Sequence, residues 1–263
     1  MDLTNAKDIK ELLLTNDLFA KKNFGQNFLI NRSVLDKIVE TAEIKKTDTV
    51  VEVGPGLGVL TQELINAADK VITVELDRTL IPYLENTFKE AENLTIVQQD
   101  ALKFDPPENY KVVANIPYYI TSPLISHFLQ HKNRPESLTL LVQEEVGQKL
   151  CILEPDMTIL SLQTALFGKA RFIKKVSAGS FYPAPNVNSA IINIQTYKPT
   201  DKEYTTGEIA KKALDLAKKA FSQRRKKISN TIPDSKEKCL QLGISIDRRP
   251  ETLSAAEWKS LVS

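Results

Sequence analysis

The chain has little of what metal or redox chemistry needs. Its 263 residues include 2 Cys and 2 His. Cys151 and Cys239 stand far apart without ligand spacing, and are expected to be reduced, packed thiols of a cytoplasmic protein. His127 and His131 fall at i and i+4 on a helical pattern, which is half of a zinc motif. No Glu stands between them in the required place and no third ligand follows, so a helix surface is expected there and no metal. No apolar run is long enough to span a bilayer, and Met1-Asp2-Leu3-Thr4 lacks the charge pattern of a signal peptide. No membrane partner is expected. Internal repeats and low-complexity segments are absent too, which excludes a solenoid. The length suits a large α/β core with a small appended domain.

Glycine is also scarce, 9 in all, yet Gly54, Gly56 and Gly58 fall in one loop, Gly54-Pro55-Gly56-Leu57-Gly58. This loop follows an apolar run, Val50-Val51-Glu52-Val53, that reads as a strand, and it leads into a helix through about Asn66. The glycines permit a tight turn and close backbone approach to a ligand. A dinucleotide fingerprint would want its third Gly where Val59 stands, which speaks against NAD. A Gly-x-Gly-x-Gly loop suits S-adenosylmethionine, which has no pyrophosphate to hold. The next strand, Val71-Ile72-Thr73-Val74, ends in Glu75, placed to accept both ribose hydroxyls of such a cofactor. A third, Leu94-Thr95-Ile96-Val97, is followed by Asp100, placed to accept the amino group of its adenine. Gly-rich loop, Glu and Asp thus come at three successive strand ends.

A fourth strand, Lys111-Val112-Val113-Ala114, runs directly into Asn115-Ile116-Pro117-Tyr118. Ligands of open α/β sheets bind beyond the carboxyl ends of strands, so a cluster that leaves a strand can reach the crevice. The residue types suit methylation of an adenine amino group, whose lone pair is delocalised into the ring. The Asn115 side-chain oxygen and the Ile116 carbonyl would each accept one amino hydrogen and so turn the lone pair towards a methyl donor. Pro117 would fix the turn and Tyr118 would stack on the extruded base. Asp105-Pro106-Pro107-Glu108 resembles the same cluster but enters the strand instead of leaving it, and reads as an ordinary turn.

With these residues in place the chain resembles the small-subunit ribosomal RNA adenine dimethyltransferases. The match runs from Lys21-Lys22-Asn23-Phe24-Gly25-Gln26-Asn27-Phe28-Leu29 through Glu75-Leu76-Asp77-Arg78, Gln99-Asp100-Ala101 and the Asn115 cluster. It continues in Phe181-Tyr182-Pro183-Ala184-Pro185 and Ala220-Phe221-Ser222-Gln223-Arg224-Arg225-Lys226 and ends in Arg249-Pro250-Glu251-Thr252-Leu253-Ser254. The resemblance implies a Rossmann-like class I methyltransferase that uses S-adenosylmethionine to dimethylate adenosines of 16S ribosomal RNA within a small subunit or its precursor. It implies cofactor contacts from Asn27, Leu29, Gly54, Gly56, Glu75, Asp100 and Asn115, and a target base flanked by Tyr118 and Phe181. Tyr119, Glu144 and Asn188 depart from the family's usual residues. A monomer is expected.

Charge is spread unevenly. From Asp201 onward there are 14 Lys or Arg against 9 Asp or Glu, whereas the first 200 residues hold 21 against 24. The densest basic segment, Lys211 to Lys227, reads as helix, and Arg224, Arg225, Lys226 and Lys227 are expected to contact RNA phosphates, with Lys21 and Lys22 adding to the same field. The polar stretch Tyr197-Lys198-Pro199-Thr200-Asp201 reads as a linker. Residues 1–197 are therefore expected to form an α/β catalytic domain with seven strands in a mixed sheet, near residues 50, 72, 95, 112, 139, 173 and 191. Residues 198–263 are expected to form a small all-α RNA-binding domain, with helices at 206–221, 222–231, 236–242 and 254–262. Three other functions share parts of the pattern: a large-subunit RNA methyltransferase of the macrolide-resistance type, a DNA adenine methyltransferase, and a non-catalytic assembly factor.

Overall fold

In the computed structural model, all residues except Met1, Asp2, Lys22, Asn23 and Arg224 are described. In chain order the elements are α1 (Ala6–Thr15), β1 (Phe28–Leu29), α2 (Arg32–Ala42), β2 (Thr49–Val53), α3 (Val59–Ala67), β3 (Lys70–Glu75), α4 (Ile81–Thr87) and β4 (Leu94–Gln98). There follow β5 (Tyr110–Asn115), α5 (Thr121–Gln130), β6 (Ser137–Gln143), α6 (Glu144–Leu150), α7 (Ile159–Phe167), β7 (Gly168–Val176), β8 (Phe181–Tyr182) and β9 (Ser189–Thr196). The tail holds α8 (Gly207–Phe221), α9 (Ile228–Thr231), α10 (Lys236–Gln241) and α11 (Ala255–Ser260).

Seven strands form one mixed sheet in the order β4-β3-β2-β5-β6-β9-β7. Strand pairs β3–β4, β2–β3, β2–β5 and β5–β6 are parallel. Helices cover the central strands on both faces, which is why Val50, Val51, Val112, Val113 and Ala114 are fully buried and β2 and β5 show no alternation. Lys111 is the polar exception in this run. Its ammonium is 2.7 Å from Asp48 and donates to the Glu43 carbonyl at 2.6 Å, so the charge enters the sheet already paired. One apolar layer joins α2 and α3 to β2, β5 and β6 through Leu35, Ile38, Leu64, Val50, Val113 and Leu141. A second joins α1 to α4 through Ile9, Leu12, Leu13, Leu84 and Phe88, together with Leu57 of the glycine loop.

The chain divides into two compact units, residues 1–147 with 171–194, and residues 148–170 with 195–263. This differs from the expected division at residue 197, because α7 belongs with the tail and the stretch 198–201 lies inside the second unit. The reason is apolar. Helix α7 buries Leu162, Leu166 and Phe167, and it packs against α8 and α11. Helix α8 carries a stripe of fully buried small residues, Ala210, Ala213, Ala217 and Ala220, that lets neighbours approach closely, and Trp258 of α11 is fully buried beside Phe221.

The expected helix over 222–231 forms only at Ile228–Thr231. Helix α8 stops at Phe221, where the Ser222 N–H donates to the Lys218 and Ala220 carbonyls and its hydroxyl to Lys219. Consecutive like charges follow in the sequence, and Pro233 then bars continuation beyond Ile232. Arg225, Lys226 and Lys227 are exposed in this turn rather than on a helix. No helix among the described residues is long and apolar enough to cross a membrane.

Candidate active site

A cavity opens in the first unit beyond the carboxyl ends of β2, β3, β4 and β5, where an open parallel sheet binds its ligands. The glycine loop forms its floor. Gly58 caps α3 with φ +84°, and a Cβ there would meet the Phe88 ring at 2.5 Å. Gly56 has φ +58° and faces the Phe28 ring, which a Cβ would approach to 3.3 Å. Side chains at these two positions would push the loop off its supports.

Acceptors face the cavity from three strand ends. Glu75 is buried, and burial pushes its carboxyl pKa up, against N–H donors from Asp77, Gly56 and Leu76; the Asp77 bond is 2.7 Å. Asp100 uses one oxygen to cap the turn after β4, accepting from the Leu102 N–H at 3.0 Å. In the sequence Glu52 stands only as part of the strand Val50-Val51-Glu52-Val53. It lines the cavity, its Oε2 accepts from the Thr61 hydroxyl at 2.7 Å, and its Oε1 is buried without a hydrogen-bond partner. Complete burial, with Glu75 nearby, pushes its pKa up to about 8 against the opposing Thr61 bond. The signal in the sequence was an acid inside an apolar strand immediately before the glycines.

The Asn115 cluster forms the next wall. The Asn115 amide donates through Nδ2 to the Asn27 carbonyl at 3.2 Å, a bond only the nitrogen end can make, so Oδ1 is the acceptor end. The Ile116 N–H donates to Leu141 of β6 at 3.3 Å and its side chain is buried, fixing the strand end. Pro117 starts a single 3-10 turn over Tyr118–Ile120. The Tyr118 hydroxyl lies 2.7 Å from that of Ser189 in β9, so the half-buried ring is pinned at its far end. Asn27, Leu29, Gly54, Gly56, Glu75, Asp100, Asn115, Ile116, Pro117 and Tyr118 thus line one cavity, joined by Phe24, Gln26 and Tyr119.

Phe181 is placed differently from the expectation. It is 3% exposed, pairs with Leu29 across the β1–β8 ribbon, and packs in the core instead of lining the cavity. Lys21 is also placed differently, its ammonium 2.7 Å from Asp77. Lys22 and Arg224 lie outside the described residues. Asp105, of the rival cluster, pairs with His131 at 3.1 Å. His127 is half-buried and bonds the Phe104 carbonyl at 2.9 Å, and no group of metal-ligating side chains occurs among the described residues.

The sequence of the chain matches the profile of the ribosomal RNA adenine dimethylases over residues 18–263. The chain belongs to that family. The small-subunit ribosomal RNA methyltransferase A of Dehalococcoides mccartyi is 42% identical over 266 residues, covering 96% of this chain and 90% of the relative. That of Clostridium botulinum is 38% identical and covers 96% of both chains. Among solved structures, a dimethyladenosine transferase from Plasmodium falciparum has a TM-score of 0.75 at 26% identity, covering 89% of this chain and 95% of that one. The 23S rRNA methyltransferase ErmE has a TM-score of 0.74 at 26% identity, covering 90% and 98%. The fold is therefore shared with a 23S rRNA methyltransferase, while these sequence relatives are named for the small subunit.

The buried acid makes a testable difference to stability. Between about 4.5 and about 8 the folded chain holds a proton on Glu52 that the unfolded chain releases, so stability falls as pH rises through that window. The slope approaches about 1.4 kcal/mol per pH unit at most. Glu52→Gln, permanently neutral, is expected to flatten this part of the profile. Urea unfolding of both proteins across the window checks it; identical slopes would mean that Glu52 is ionised in the fold.

Proposed function

We propose that the cavity binds S-adenosylmethionine and that the chain dimethylates the amino groups of adenosines in small-subunit ribosomal RNA. The residues fit the cofactor. Its ribose hydroxyls and cationic amine need acceptors, and the cavity offers Glu75, Asp100 and the unpartnered Oε1 of Glu52. When bound, the cofactor supplies an electrophilic methyl group on a sulfonium.

The chain's own residues supply orientation. Asn115 Oδ1 and the Ile116 carbonyl accept the two amino hydrogens of an extruded adenine, leaving the nitrogen lone pair directed into the cavity. Tyr118 stacks on the base, held in place through Ser189. Phe181 backs the wall behind Leu29 instead of touching the base. No side-chain base is required, because an amino nitrogen that has accepted a methyl is strongly acidic and loses its proton to water. The observation that carries this reading is the Asn115 amide, turned by the Asn27 carbonyl so that its oxygen is the acceptor end.

Substrate holding is assigned in part to the second unit. Arg225 and Lys226 are exposed, while Lys227 pairs with Asp247 at 2.8 Å, both side chains being exposed. Changing Arg225, Lys226 and Lys227 to Ala is expected to weaken RNA binding and lower the log–log salt slope by about 0.7 per lost contact on single strands and up to about 0.9 on duplex. Cofactor affinity should not change. Filter binding over a salt series checks it, and an unchanged slope would make this segment a solvated face.

A further inference from the structure

We propose that Tyr119 stacks on the nucleotide joined directly to the target adenosine, so that two neighbouring tyrosines hold two consecutive bases. The inference rests on the adenine reading above and goes beyond it, since that reading places one base only. Tyr118 and Tyr119 follow each other in the 3-10 turn that leaves β5. Such a turn has three residues, so successive side chains point about 120° apart and the two rings do not meet the same base. Tyr118 is half-buried and tied to Ser189. Tyr119 lines the same cavity yet is 58% exposed.

The ring of Tyr119 is supported on one side only. It lies against Gly25, where a Cβ would stand 3.6 Å from both Cδ1 and Cε1, and more than half of the residue is open to solvent. Among the described residues, the large apolar side chains that are both exposed and part of the cavity wall are Tyr119 and Leu76. Leu76 follows Glu75, at the end assigned to the cofactor. Tyr119 follows Tyr118, at the end assigned to the base. An aromatic ring left in water there forgoes the burial that it would gain in the core, and a stacked base restores it.

The occupant follows from how the substrate enters. An adenine extruded into the cavity stays bonded through its ribose and phosphates to the nucleotides on either side, so these are carried to the mouth with it. Extrusion also takes a stacking partner from each of them. An aromatic side chain at the mouth replaces that partner, and because every base has a π-face it does so without choosing among them. The base is the part of the nucleotide that this turn suits. Residues 115–126 carry no charged side chain, so the turn itself offers a phosphate no cation.

The test follows methylation of small ribosomal subunits from a strain lacking this activity, in single turnovers with the full chain at saturating cofactor and varied subunit concentration. Tyr119→Ala is expected to raise the concentration giving half-maximal rate by about tenfold, the loss of one base–aromatic stack, and to leave the plateau rate within about threefold of wild type. Tyr119→Phe and Tyr119→Trp keep a π-face and should stay within about threefold on both counts. Tyr119→Leu keeps apolar bulk without a π-face and should follow the Ala variant. If Tyr119 only shapes the turn that carries Tyr118, the plateau falls as well, and that outcome overturns the proposal, as does wild-type half-saturation in the Ala and Leu variants. The photo-crosslinker p-benzoylphenylalanine, introduced in place of Tyr119, reports position directly. Primer extension should map its adducts one nucleotide from a methylated adenosine, and adducts confined to more distant nucleotides overturn the proposal. Should the Ala and Leu variants fail to fold, the crosslink decides. If wild type methylates no adenosine of the subunits, the adenine reading itself fails and this inference falls with it.

Discussion

Asn115→Ala is expected to lower single-turnover methyl transfer by about 100-fold or more while RNA affinity hardly changes. The amide contributes alignment, which is realised as the lone pair meets the methyl group, whereas RNA affinity is dominated by phosphate contacts. Asn27 sharpens the expectation: removing the Asn115 side chain also removes the cross-link from β5 to the N-terminal segment. Tyr118 should behave differently. Tyr118→Ala loses stacking worth about 1 to 3 kcal/mol and weakens base capture as well as turnover. Tyr118→Phe loses only the bond to Ser189 and should keep most activity if the ring face is what matters. Rapid-quench assays at saturating RNA and cofactor separate the three variants, and a wild-type rate in Asn115→Ala would remove this residue from the mechanism.

The second large effect is on the cofactor. Glu75→Ala should weaken S-adenosylmethionine binding by about 1 to 3 kcal/mol, which is the cost of unpairing polar groups in a closed site. Glu75 also accepts from the Asp77 N–H, so the Ala variant loosens the turn after β3 as well. Glu75→Gln keeps that acceptor and should lose less. Titration calorimetry with each variant measures the difference, and an unchanged dissociation constant in the Ala variant would place the cofactor elsewhere.

Much of the fold was legible because the central strands β2, β3, β5 and β6, buried on both faces, read as apolar runs. The runs near residues 50, 72, 95, 112, 139, 173 and 191 all became strands of one sheet. The glycine loop, Glu75, Asp100 and Asn115 were legible for a related reason: strand ends place functional groups locally, so a few residues of sequence suffice. What escaped depends on distance. The Thr61 donor to Glu52 and the Lys21 partner of Asp77 become neighbours only through the fold, and Lys21 alone looks like any basic residue near an RNA enzyme. Phe181 had a residue type suited to stacking but lies in a ribbon of two-residue strands too short to show periodicity. That α7 groups with the tail helices is not legible, because its apolar face does not say which helices it meets.

The most direct measurement of the central claim supplies small ribosomal subunits from a strain lacking this activity with methyl-labelled S-adenosylmethionine and the purified chain. The RNA is then digested to nucleosides and analysed by mass spectrometry. Label is predicted in N6,N6-dimethyladenosine of the small-subunit RNA, and none is predicted when Asn115→Ala replaces the wild-type chain over the same time. Label confined to large-subunit RNA offered in parallel, or carried by a nucleoside other than adenosine, would contradict the account.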